Sequence, residues 1–342
     1  MKRCVIFCIV LSFILFGCTQ ASATPEGVVR ICKQINDSQY LLLYNNAVRE
    51  DKKQPPVNYD TFCIYDIQKN RHKTVFSGTN IWEGFENQLI NTEEYVIFNS
   101  NGVNLIQFST DETPWMIERT IHSTAESCVV SPSASKIVQR LANHIEIVDM
   151  ETEELISQRT NVSGIGKMVW NDAETMIAMT ANNGTSIGIW NLLTDEVLEY
   201  SVYDTLAAPA DWVDIIDIDF LKNSTYLLVH YLCENGSSIT LWDMEKNVYV
   251  DSITPDGDIT VLDVADHTIL YEVEPVDGTM HILQIYDCTN RQSSVIDRFE
   301  GVYTAGTIME GSFNVLVNRY DAQSKTNALM VLKADSADID KD

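Results

Sequence analysis

A short apolar strand ending in a polar turn recurs along this chain. The copies are Cys63-Ile64-Tyr65-Asp66, Leu105-Ile106-Gln107-Phe108, Ile145-Glu146-Ile147-Val148-Asp149, Ile187-Gly188-Ile189-Trp190-Asn191, Ile239-Thr240-Leu241-Trp242-Asp243, Leu283-Gln284-Ile285-Tyr286-Asp287 and Leu329-Met330-Val331-Leu332. Most lie about 40 to 45 residues apart, a period that marks repeated supersecondary units. The third unit shows the grammar. Ser127 to Pro132 reads as a first strand, Ile137 to Leu141 as a second, His144 to Asp149 as a third and Leu155 to Arg159 as a fourth. The turns between them are Ser131-Pro132-Ser133-Ala134-Ser135, Ala142-Asn143 and Glu151-Thr152-Glu153, the residue types that end strands. The fourth unit repeats this with Met168 to Asp172, Met176 to Thr180, Ile187 to Trp190 and Asp195 to Leu198. Beyond the first residues almost nothing has a helical period.

On these residues the chain resembles the WD-repeat β-propeller family and its bacterial relatives. The turn Ser131-Pro132-Ser133, the third-strand endings Trp190-Asn191 and Trp242-Asp243, and Thr152 and Thr194 in the following turns carry the resemblance. It covers nearly all of residues 28–333, and the Gly-His element of the eukaryotic repeats is absent. The resemblance implies an all-β fold, a seven-bladed β-propeller with three or four antiparallel strands per blade. The expected blades are 28–78, 79–122, 123–162, 163–205, 206–254, 255–301 and 302–333. The last has three clear strands, Ala305 to Met309, Phe313 to Arg319 and Ala328 to Leu332. Residues 19–27 are a candidate for its missing outer strand, and an unpaired edge would invite aggregation.

The first residues are read apart from the fold. Lys2 and Arg3 form a basic region and Cys4 to Phe16 an apolar one, shorter than the ~20 residues of a membrane span. Leu15-Phe16-Gly17-Cys18 resembles the lipobox of bacterial lipoproteins, in which cleavage precedes the cysteine and its sulfur takes a diacylglycerol. The resemblance implies a lipoprotein signal peptide at 1–17 and a lipidated tether at 18–27; the propeller follows at 28–333, and the acidic residues 334–342 read as a disordered tail. It places the protein on the extracytoplasmic face of a cell membrane, held by a lipid anchor at Cys18. An ordinary secretory signal with a chance cysteine is the alternative.

Acidic residues outnumber basic ones 49 to 23, for a net charge of −26. Such a surface repels nucleic acid and anionic lipid, and it lacks the basic footprint of nucleic-acid binders. Cys32, Cys63, Cys128, Cys233 and Cys288 follow Cys18, odd in number and scattered among strand residues. They imply buried small hydrophobes rather than a disulfide framework or a zinc site.

Gly184-Thr185-Ser186-Ile187-Gly188 matches the G-x-S-x-G elbow of serine hydrolases, which needs a strand before the serine and a helix after it. Here a strand follows, so the match reads as a hairpin turn. The histidines are dispersed and no HExxH occurs. Asp211, Asp214, Asp217 and Asp219 cluster around the first strand of the fifth blade. Asp217 and Asp219 alternate with apolar residues and so share a face, where they could hold Ca²⁺ or a cationic ligand. Hydrogen bonding to the backbone of a neighbouring blade, or a solvated channel wall, is the alternative. No other cofactor is expected.

Among the tryptophans, Trp190 and Trp242 hold equivalent third-strand positions and are expected between blades. Trp170 is expected in the core and Trp115 on an outer strand. Trp82 and Trp212 lie where one blade hands over to the next. In the resembled family these handovers share a face with the loops between second and third strands. That face would carry the polar loop Ala47 to Asp60, with Arg49, Lys52 and Lys53. A basic loop with two tryptophans on an acidic protein makes a plausible partner face. Both tryptophans folding inward as plugs is the alternative.

The functional expectation is a monomeric, surface-anchored propeller that binds a protein, a peptide or a cell-envelope glycan without catalysis. A lyase or glycosidase using carboxylates in the propeller mouth is one rival. A scaffold subunit of an envelope assembly is another.

Overall fold

The computed structural model describes residues 27–48, 57–79, 90–91, 95–99, 103–107, 115–118, 127–142, 144–160, 164–204, 212–234, 236–278, 280–309 and 314–333. Their strands follow one another as antiparallel sheets, each built from consecutive strands. The first holds β1 (Val28–Asn36), β2 (Gln39–Val48), β3 (Val57–Asp66) and β4 (Arg71–Thr79). The second holds β5 (Ile90–Asn91), β6 (Tyr95–Asn99), β7 (Val103–Gln107) and β8 (Trp115–Glu118). The third holds β9 (Ser127–Val130), β10 (Lys136–Leu141), β11 (His144–Asp149) and β12 (Leu155–Thr160). The fourth holds β13 (Met168–Trp170), β14 (Met176–Ala181), β15 (Ser186–Asn191) and β16 (Glu196–Ser201). The fifth holds β17 (Val213–Phe220), β18 (Tyr226–Cys233), β19 (Gly236–Asp243) and β20 (Val248–Ile253). The sixth holds β21 (Gly257–Ala265), β22 (Thr268–Pro275), β23 (His281–Asp287) and β24 (Gln292–Phe299). The last has β25 (Val302–Ile308), β26 (Asn314–Asp321) and β27 (Thr326–Lys333), with no fourth strand among the described residues.

The expected spans in the third, fourth and last units match these strands to within about one to three residues at each end, the usual uncertainty of strand termini. One expectation needs correction. The loop placed at Ala47 to Asp60 is shorter, because β2 runs to Val48 and β3 resumes at Val57, with Val48 facing Val57. Ladder hydrogen bonding extends through a segment whose polar composition alone reads as loop.

Inner strands of neighbouring sheets face one another around a common centre, β9 beside β13, β13 beside β17, β21 beside β25 and β25 beside β1. This is the arrangement of propeller blades. Each blade is apolar on both faces, which explains the middle strands. On β14, Ile177 and Met179 pack toward the third sheet while Ala178 packs toward the fifth. A middle strand therefore reads as an unbroken apolar run, such as Leu41-Leu42-Leu43, all fully buried. Outer strands are open to solvent, and Leu155, Val197, Leu198 and Tyr249 are exposed on them.

The third strands β3, β11, β15, β19 and β23 end on an Asp or Asn whose side chain accepts hydrogen bonds from the next turn. Asp149 accepts from the Glu151 and Thr152 amides at 2.9 and 2.8 Å, and Asn191 accepts from those of Leu193 and Thr194 at 2.9 and 3.2 Å. Asp66, Asp243 and Asp287 repeat the device. These side chains satisfy amide groups that the ladder leaves unpaired, so the recurring Asp is a structural signature of the turn. The Thr152 amide bond holds the Asp149 carboxyl below the usual range.

The ring closes between β1 and β25 by side chains. Thr304 Oγ1 and Asn318 Nδ2 donate to the Val28 carbonyl at 3.0 and 3.3 Å. Val28, Ile31, Tyr40 and Leu42 share one apolar cluster with Ala305 and Leu316. Cys32, Cys63, Cys128, Cys233 and Cys288 are free thiols, and all but Cys233 are buried.

Candidate functional site

Trp190 is fully buried on β15, Trp242 lies almost fully buried at the equivalent place on β19, and Trp170 is buried on β13. Each third-strand tryptophan meets the preceding blade. The Arg159 guanidinium of β12 sits 5.4 Å from the Trp190 ring centre, and Tyr200 of β16 meets Trp242 edge-on at 4.7 Å. These residues belong to the core.

The aspartates of β17 are brought together by a bulge. Asp214 pairs Leu232, Ile215 pairs Tyr231 and Asp217 pairs His230, so Ile216 is an extra residue. That insertion shifts the side-chain phase by one position. Val213, Ile215, Ile218 and Phe220 stay on the buried face, Asp214, Asp217 and Asp219 take the other, and Ile216 is left half exposed. The inner wall already supplies a cation: Lys167, just before β13, forms an ion pair with Asp217. Asp219 is recessed behind them. Loss of hydration pushes its carboxyl up to about 6, against the opposing pull of Lys167. Among the described residues no group of three or more His, Cys, Asp and Glu could hold a metal ion. Asp217 is held by Lys167 of the neighbouring blade, and Asp219 lies close enough to feel the same charge.

Trp212 is 44 % exposed, directly before β17. Trp82, Arg49, Lys52, Lys53 and Cys18 lie outside the described residues. The shared face inferred for handovers and second-to-third-strand turns is visible at two places. The Ile215 amide, at the start of β17, donates to the Gly184 carbonyl in the β14–β15 turn at 3.0 Å. Gly236, at the β18–β19 turn, lies against the Gly257 carbonyl at the start of β21.

An open cleft of about 520 Å³ lies on that face, lined by Asn182, Thr185, Ser186, Glu199, Ser201 and Tyr203. Three segments build it: the β14–β15 turn, the end of β16, and the 3-10 turn Val202–Asp204 that follows. The β14–β15 turn needs left-handed backbone, with φ of 49° at Asn182, 57° at Asn183 and 84° at Gly184. Gly184 is required twice over, since a Cβ there would also lie 2.5 Å from Asp214 Oδ1. The Val202 amide donates to the Thr185 carbonyl at 3.1 Å, fixing the 3-10 turn against the hairpin.

Within the cleft a hydrogen-bonded chain is already set. Asn182 Nδ2 donates to Ser186 Oγ at 2.8 Å, and Ser186 Oγ donates to Glu199 Oε1 at 2.8 Å. Asn182 also reaches Glu199 directly. Ser186 is buried and opens a strand, so the Gly184–Gly188 segment is a hairpin and no nucleophile elbow, as the sequence implied. Tyr203 stands 44 % exposed at the rim. Sequence reasoning missed Asn182, Thr185, Glu199, Ser201, Tyr203 and Lys167. The one signal was indirect: the serine motif drew attention to Ser186 for chemistry the turn does not perform.

No protein-family model matches the chain, and no curated protein matches it. Solved structures do. The β-propeller domain of the Trilobed protease from Pyrococcus furiosus, described as revealing an open velcro topology, superposes with a TM-score of 0.58 at 11 % identity, covering 91 % of this chain and 95 % of that one. The RRP9 WD40 repeats give 0.54 at 6 % identity over 92 % and 96 %. The structure of U3-55K gives 0.53 at 6 % identity over 92 % and 97 %. At these identities the likeness shows the fold alone, a β-propeller.

Proposed function

We propose that this chain is a lipid-anchored, extracytoplasmic propeller of seven blades that binds a partner without catalysing a reaction. The observation that carries the reading is the exposed Trp212 on the same face as a preorganised polar cleft. Tryptophan is enriched where partners bind, and Trp212 stands exposed beside polar and acidic groups of the cleft turn. The handover before β17 holds Trp212 two residues from Asp214, which lies against Gly184 of the cleft turn. Trp82, Arg49, Lys52 and Lys53 would extend this face, and a protein, a peptide or an envelope glycan would suit it. Changing Trp212 to Ala is expected to weaken partner capture from detergent-solubilised membranes at least about tenfold, since hot-spot truncations cost ~2 kcal/mol or more. The melting temperature should hardly move, because the side chain is not part of the core. Capture that survives this change but is lost on charge reversal at the opposite face would refute the assignment.

Membrane attachment rests on the leader. Among the described residues no helix is long and apolar enough to cross a membrane. Several acyl chains anchor a protein stably where one holds it only marginally. Cys18→Ser is therefore expected to shift the protein from the membrane fraction to the soluble one. Retention in membranes at the unmodified level would mean that the apolar leader itself is the anchor.

A further inference from the structure

The cleft between the β14–β15 turn and Tyr203 has a composition that selects a class of ligand. Its lining is three hydroxyl side chains, one amide, one carboxylate and one phenol, with no aliphatic side chain and no basic one. Peptide grooves work differently. They offer apolar pockets for side chains or an open strand edge for backbone pairing. An anionic ligand is disfavoured as well, because Glu199 lines the cleft and Asp214 abuts its floor at Gly184.

Several polar groups make no hydrogen bond among the described residues. Glu199 binds Asn182 and Ser186 through Oε1 alone, and Oε2 has no hydrogen bond among the described residues. The same holds for Ser201 Oγ and the Tyr203 hydroxyl. Asn182, Ser186 and Glu199 Oε1 hold one another in place, so Oε2 is presented without further ordering. Rows of fixed acceptors and donors, beside an exposed aromatic ring, complement a pyranose. Its hydroxyls meet the polar wall and its C–H face lies on the ring. A volume of about 520 Å³ matches a short oligosaccharide more closely than a folded partner's surface.

We infer that this cleft binds neutral or amino-sugar oligosaccharides, with Tyr203 as the stacking platform and Glu199 as the acceptor for sugar hydroxyl or ammonium groups. This rests on the binding reading above and names its ligand class. Four probes test it by calorimetry on the full chain in detergent: cellotetraose, the N-acetylglucosamine tetramer, the glucosamine tetramer and tetragalacturonate. The first three are expected to bind with dissociation constants between about 10 μM and 1 mM, and the uronate not at all. Tyr203→Ala should weaken binding of all three at least about tenfold with the melting temperature unchanged. Glu199→Gln should abolish any preference for glucosamine over its N-acetylated form.

Equal or tighter binding of tetragalacturonate overturns the inference. So does a failure of every probe up to about 10 mM. The parallel pull-down separates the two levels. If no sugar binds but a Trp212-dependent partner is still recovered, the ligand class is wrong and the binding reading stands. If neither is seen, both fall. Release of shorter sugars from a bound tetramer would uphold the ligand class and replace the non-catalytic reading with a hydrolytic one.

Discussion

Trp190→Ala is expected to destabilise the protein by about 3 to 5 kcal/mol, the cost of truncating a fully buried tryptophan. The ring is completely enclosed, clusters with Val129, Val138 and Ile145 of the preceding blade, and carries the Arg159 guanidinium on one face. Its Nε1 donates to Asp195 Oδ1 at 3.3 Å, so the truncation also removes a hydrogen bond. A repeat fold transmits such a loss to the neighbouring interface. Urea denaturation followed by tyrosine and tryptophan emission measures it, and a loss below about 1 kcal/mol would show that the inter-blade interface does not depend on this side chain. The equivalent Trp242 should cost less, because its buried Nε1 has no hydrogen-bond partner among the described residues. Removing an unsatisfied donor returns part of what the lost packing takes away.

A second large effect concerns pH. Burial raises the Asp219 carboxyl from 3.8 to about 6, with Lys167 and Arg30 opposing and Asp217 reinforcing the shift. A raised carboxyl binds protons more tightly in the folded chain than in the unfolded one. Its contribution is therefore neutral below pH ~4, falls as pH rises from about 4 to 6, and is fully unfavourable above that. A carboxyl raised from 3.8 to about 6 disfavours the folded state by roughly 3 kcal/mol at pH 7. Asp219→Asn is expected to stabilise the protein by up to about that amount at pH 7 and to change nothing near pH 3.5. The substitution keeps an acceptor for the Phe220 amide. Denaturation midpoints of both forms across pH 3.5 to 8 would test this. A gain at low pH as large as at neutral pH would mean that the cause is packing and not ionisation.

The strand framework was legible because turn chemistry punctuates it. Asp149, Asn191, Asp243 and Asp287 are visible in the sequence as strand endings, and in the structure each caps the turn that follows. The two interior tryptophans were legible because the period placed them at equivalent positions. The phase of β17 was only half legible. Alternation put Asp217 and Asp219 together, but nothing local announced the Ile216 bulge that brings Asp214 to their side. Lys167 was invisible as their counter-ion, since it lies 50 residues before Asp217 and meets it only when blades pack. The cleft was illegible for a different reason. Asn182, Thr185 and Ser201 are what any solvated hairpin turn would contain, and their convergence depends on how the Val202–Asp204 turn folds back over the hairpin.

The ring seam sets the order in which the molecule can be completed. Every sheet forms from strands adjacent in sequence, so each blade can assemble as soon as its own forty-odd residues exist. The bond from Thr304 to Val28 joins groups 276 residues apart. Joining ends that far apart costs about 1.7 kcal/mol more than closing a single blade, by the logarithmic dependence on loop length. Much of that cost falls away once the intermediate blades have stacked and carried the ends together. Closure is therefore expected last, and a chain that stops short of β25 would leave the apolar side of β1, with Val28 and Ile31, open to other chains.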